Sequence, residues 1–168
     1  MTLVPPDPYE MVKAELIVYV DDLLREFTAK TLGITKPPLW LWTSIQEIPA
    51  FYDTSMKVIF LWDTFWVTCY LHDPYKTKRL LRISAAHEFW HWVQQTRGEW
   101  VIRLPTLSFP LVGEHLASKQ AARLSGISDV EAKALMEELA RLFARVMKEE
   151  VKESEGLFMK LRGLRNLC

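Results

Sequence analysis

The chain has 168 residues, of which 49% are apolar and 25% charged. That supports one domain with a real core and is too short for two comfortable ones. Its 21 basic residues cancel its 21 acidic ones, which excludes a global electrostatic pull toward nucleic acid or an anionic membrane and leaves only a weakly basic C-terminus.

The first ten residues, MTLVPPDPYE, lack the basic start and apolar core of a signal peptide. The longest early apolar run, 16–20, has five residues, far short of the roughly 20 that span a bilayer. A soluble, cytoplasmic protein is the expectation. Two cysteines, Cys69 and Cys168, make no disulfide framework; they are either two free thiols in a reducing compartment or a single bridge.

The first helix is marked by Asp7 as cap, Pro8 at its first position and Glu10 completing a capping box. Val12, Leu16, Tyr19, Leu23 and Phe27 then recur at helical spacing, and Gly33 suits the stop. Leu39–Thr43, 56–62 and 65–71 are rich in β-branched and aromatic residues and read as strands, with Asp63-Thr64 as a turn. A small antiparallel or mixed sheet follows. Asp73, Pro74 and Gly98 bracket the next helix. Residues 99–105 read as irregular or extended. A further helix covers Phe109–Ser125, with Gly126 as its stop. Ser128 and Glu131 form another capping box and open a long helix to about residue 155, which Gly156 is expected to break. The tail LFMKLRGLRNLC is basic and amphipathic. The fold class is α+β, with residues 1–127 as the main domain and 128–168 as a C-terminal helix and tail for packing, self-association or a pro-segment.

The motif that carries chemistry is HEFWH, residues 87–91. Residues four apart on a helix project from one face, so the imidazoles of His87 and His91 can both reach one zinc ion. Glu88 is rotated about 100° from His87. It does not complete the ligand set, but it can reach a water on the metal. Zinc brings the pKa of such a water to about 7. Glu88 then takes the proton as general base and returns it to the leaving amine. The bland alternative is two histidines that share a helix face. Gln94 and Arg97 stand where a metzincin would place Gly and His, so that pattern is excluded. Glu114 is the expected third ligand. It shares a helix face with Ala117, Ala121 and Leu124, and the small alanines would let that helix approach the histidine helix. His115 points about 100° away and is the rival; Cys69 is a weaker candidate.

HEFWH followed by a helix carrying a glutamate and spaced alanines resembles the gluzincins, the thermolysin-like zinc peptidases. The small size narrows the resemblance to the minigluzincins of archaea, over roughly residues 8–126. The resemblance implies a minimal zincin fold, a Zn2+ cofactor held by His87, His91 and Glu114, and a peptide or protein substrate cut with Glu88 as general base. It also implies that an edge strand near the active-site helix binds the substrate backbone; for 65–71 that role competes with a plain core strand. Many gluzincins carry Asp four residues after the ligand Glu, and here that residue is Ser118. His115, Tyr70, His72 and Arg103 are the candidates, by chemistry alone, for stabilising an oxyanion. The family tie further implies that chain ends can block the cleft and keep the enzyme latent. The tail residues themselves suggest the means: a segment freed at Gly156 would carry the Cys168 thiol onto the zinc, the plain alternative being a disordered chain end. Two rivals stay open, a repressor-cleaving regulatory protease of the ImmA/IrrE type and a non-catalytic interaction module.

Overall fold

The computed structural model describes residues 7–44, 48–99 and 109–165, with the helical backbone alone at 109–113 and 150–165. The elements run α1 (Pro8–Ala29), β1 (Leu39–Thr43), β2 (Ala50–Asp53), β3 (Val58–Trp62), α2 (Asp63–His72), α3 (Pro74–Thr96), α4 (Phe109–Ser125) and α5 (Asp129–Arg165). The architecture is α+β. Arg103 and the expected irregular stretch lie outside the described residues from 100 onward. No helix among the described residues is long and apolar enough to cross a membrane.

The caps expected from the sequence form. Asp7 accepts from the Tyr9 N–H at 2.9 Å, Asp73 from Lys76 at 3.0 Å, and Ser128 from Glu131 at 3.2 Å. Each satisfies a backbone donor that the first helical turn leaves without a partner. Gly126 ends α4 at a positive φ of 72°, backbone that a residue with a Cβ adopts only under strain. Helix α1 ends at Ala29, ahead of Gly33, which takes its positive φ in the turn beyond.

The sheet has the order β1-β3-β2. Strand β1 runs parallel to β3, and β2 runs antiparallel to it with Phe51 opposite Phe60. The sheet is therefore mixed, and among the described residues one edge of β2 pairs with no strand. The strand expected at 65–71 is instead helix α2, and Asp63-Thr64 opens that helix rather than a hairpin turn. Phe65, Trp66, Val67 and Tyr70 are buried while Thr64, Thr68, Leu71 and His72 are exposed. That is a helical period; the aromatic and β-branched content reflects burial, not strand. Strand β2 itself carries no strong signal in its four residues. Its hairpin to β3 is tied by Asp53, whose side chain accepts from the Ser55 and Met56 N–H groups at 2.8 Å each.

Helix α3 is the centre of the molecule. It packs against α1, α2, α4 and α5 and against β2. Phe27 of α1, Trp62, Phe65 and Trp66 at the β3–α2 junction, and Leu80, Leu81 and Phe89 of α3 are all 1% exposed or less. Trp92 packs on Phe89 with ring centroids 5.5 Å apart; it and Trp90 are half-buried at the rim of this core. Arg82 of α3 holds Glu26 of α1 through two guanidinium nitrogens and reaches the Ser125 carbonyl at 3.3 Å, joining three helices.

Helix α5 does not break at Gly156. Its 37 residues continue to Arg165, so the tail does not begin as a free segment after Gly156. The expected seat of Cys168 on the metal lies outside the described residues. One glycine costs a helix only about 1 kcal/mol relative to Ala, and Glu, Lys, Leu and Met on both sides of it are strong helix formers.

Candidate metal centre

Helix α3 carries His87, Glu88 and His91 past two different neighbours. On one side lies α4. Ala117 and Ala121 of α4 are fully buried, as is Ala86 of α3. Their lack of bulk lets the helices come close and brings Glu114 over the histidine pair. His87 Nε2 and Glu114 Oε2 are 2.9 Å apart, His91 Nε2 and Glu114 Oε1 3.2 Å, and the two Nε2 atoms 3.1 Å. The three side chains offer donor atoms all within 4.8 Å of one another, a group able to hold a metal ion. Donors on a tetrahedral zinc at 2.0–2.2 Å stand about 3.4 Å from one another. The set therefore fits such an ion after opening by about a few tenths of an ångström. The histidine side chains are 9% and 7% exposed while Glu114 is 56% exposed, so the centre is open on the carboxylate side.

The outer ring nitrogens have partners too. His91 Nδ1 lies 3.2 Å from the Gln94 side-chain oxygen. That oxygen can only accept, so Nδ1 carries the proton and Nε2 presents its lone pair. His87 Nδ1 lies 3.5 Å from Ser118 Oγ. Ser118, four residues past Glu114, thus stands opposite His87 at the long limit of a hydrogen bond. Gln94 was not anticipated as a partner. Its spacing, three residues past His91 on the same helix face, was the available signal.

On the other side of α3 lies β2. The Tyr52 backbone N–H acts on the Glu88 carboxyl as a donor too weak to offset its burial. Backbone groups alternate direction along an antiparallel strand. With the Tyr52 N–H turned to Glu88, Ala50 and Tyr52 face the open edge, and Pro49 and Asp53 face β3, where their carbonyls are bonded to Trp62 and Lys57. The Tyr52 hydroxyl bonds the Gln95 side chain, and Gln95 Nε2 donates to the Thr54 carbonyl at 2.9 Å. Strand β2, which the sequence reading missed, is therefore fastened to α3 beside Glu88.

The electrostatics differ between the two sides. Burial pushes Glu88 up to about 7, aided by the negative Glu114 and opposed by His87. The hydrogen bond from His87 holds Glu114 below the usual carboxylate range. Burial works to lower His87, but the Glu114 hydrogen bond and the charges of Glu88 and Glu114 outweigh it and leave it raised. Burial and the neighbouring His87 charge lower His91. The two carboxylates thus favour a positive charge among the three donors.

The other candidates stand elsewhere. His115 lines a cavity beside His87 and is not in the donor group. The Cys69 thiol is half-buried on α2 and is pushed to about 11 by burial. The Tyr70 hydroxyl bonds Glu15 of α1, and His72 is exposed at the end of α2. Comparison with models of protein families, with curated proteins and with solved structures finds no match to this chain.

Proposed function

We propose that this protein is a zinc-dependent metallopeptidase with a minimal zincin fold, of the gluzincin kind. One observation supports it above all. His87, His91 and Glu114 converge on a single point, while Glu88, between the two histidines in sequence, is turned to the open edge of β2. A structural metal site would need no carboxylate held outside the donor group, and a chance pair of histidines would need no convergent glutamate.

In this reading His87, His91 and Glu114 hold zinc. Zinc supplies a Lewis acid that polarises a carbonyl and acidifies water. The residues of the chain do the rest. Gln94 and Ser118 fix the histidine rings so that their Nε2 lone pairs face inward. The outward backbone groups of Ala50 and the Tyr52 carbonyl, which no described strand pairs, align an extended peptide as an added strand. Glu88 takes a proton from the attacking water and returns it to the leaving amine. A carboxylate that titrates near 7 is suited to both halves of that exchange.

The test is Glu88→Gln, with zinc content and peptide hydrolysis measured on the same sample. Zinc is retained at one equivalent, and kcat falls on the order of 10²–10⁴-fold. Undiminished hydrolysis by the zinc-loaded variant rejects the mechanism. Absence of hydrolysis by zinc-loaded wild type across a peptide library rejects the peptidase reading.

A further inference from the structure

A cavity of about 400 Å³ lies where α3, α4 and the start of α5 meet. It is distinct from the β2 edge, since neither Glu88 nor any β2 residue lines it. Its inner wall is apolar: Ile83 of α3, Ala121 of α4, and Ala132 and Met136 of α5. Two of these positions, Ala121 and Ala132, present only a methyl group to the space. Its polar side is formed by His87 and Ser118, the pair joined across the His87 Nδ1 edge.

The rim carries charge of mainly one sign. Lys119 of α4 and Lys133 of α5 both line the opening, and His115 stands with them. The single acid there is Asp129. Lys119 has no ion-pair partner among the described residues, and Lys133 has only Glu137, at 4.0 Å on its own helix. That pair is 80% and 60% exposed, so it holds Lys133 weakly. Two loosely held ammonium groups over an apolar floor form a site for a molecule with an apolar body and an anionic head. The volume falls in the range of small-molecule sites, about 300–1,000 Å³.

We propose that this cavity is a binding site for a small amphipathic carboxylate, with the apolar body against Ala121, Ala132 and Met136 and the carboxylate on Lys119 and Lys133. The chemistry is shared by a free organic acid and by the C-terminal end of a peptide. The occupant also packs on the outer edge of His87, next to the metal centre but not within it.

The experiment uses the full chain with 4-phenylbutyrate and its neutral counterpart 4-phenylbutyramide as probes. Affinity is measured by calorimetry, and location by the methyl shifts of Ile83 and Met136. The acid binds at least about tenfold more tightly than the amide, as a charge-assisted contact requires, and shifts both methyls. In the folded Lys119→Gln/Lys133→Gln variant the preference disappears while weak binding of both probes remains. Equal affinity for acid and amide in the wild type, no binding, or a preference that survives the double substitution overturns the proposal. A peptide ending in Phe with a free carboxylate separates the two sources. If it displaces phenylbutyrate and its amidated form does not, the site takes peptide ends; if neither displaces it, the site takes free organic acids. None of these readouts requires hydrolysis, so failure of the peptidase reading leaves the result interpretable.

Discussion

The seam between α3 and α4 and the seam between α3 and β2 each hold one carboxylate, and the two are kept in opposite states. Glu114 reaches across the first seam to two imidazoles; more than half of it meets solvent, and its pKa is held down. Glu88 sits in the second seam with one backbone donor, and burial raises it to about 7. The same side chain is favoured as an anion in one place and as a neutral acid in the other. A ligand needs the first property, and a general base needs the raised pKa behind the second. The sequence spacing names both residues, but only their surroundings separate them.

The largest test of that contrast is Glu114→Ala. It removes one of three donors, so zinc affinity falls on the order of 100-fold or more, whereas His115→Ala leaves it within about twofold. Metal titration of the two variants checks this, and equal losses would mean that the α4 face has been misassigned.

Next in size is a stability effect in metal-free protein. The folded-state pKa of Glu88 is raised to about 7 from a reference of 4.5. The folded state therefore keeps a proton that the unfolded chain gives up as pH rises. Stability is unaffected below the reference value, falls between the two values, and carries the full penalty above the upper one. Glu88→Gln removes that penalty. It is expected to match the wild type near the lower value and to exceed it by roughly 1–3 kcal/mol above the upper one. Denaturant unfolding across that pH range decides it; parallel curves would show that Glu88 is not held in a desolvated site.

Gln94→Ala comes third. It frees the His91 ring to turn and to switch tautomer, and loss of such a partner costs about 10-fold in metal affinity. Ser118→Ala is the smallest. The contact it removes is 3.5 Å long, so a change within about threefold is expected. A Ser118 effect larger than that of Gln94 would reverse the order that the distances set.

The two seams also differ in how far they could be read from the chain. Helix α4 and its inward residues were legible, because Glu114, Ala117, Ala121 and Leu124 follow the helical period and Gly126 supplies a left-handed stop. The caps Asp7, Asp73 and Ser128 were legible for the same local reason. The β2 side was not. Four residues are too few to show a period, and what fixes β2 is distant in sequence: the pairing with β3 and the Tyr52 contacts to α3. At α2, burial on several sides selected the aromatic and branched residues that signal a strand, while the polar beat of Thr64, Thr68 and His72 held the better clue. At Gly156 a local preference of about 1 kcal/mol was read as a break, and a long helix with favourable neighbours absorbs that cost.

The exposure of Glu114 has a kinetic meaning. His87 and His91 are fixed to one buried helix and cannot part from each other without unfolding it. The third donor stands at the surface on a side chain with three rotatable bonds. An ion held by these three donors would reach the histidines by way of Glu114 and would leave when that carboxylate swings away. Exchange would then need one side-chain rotation instead of a separation of helices, so a metal centre built this way would be thermodynamically firm and still load and unload quickly.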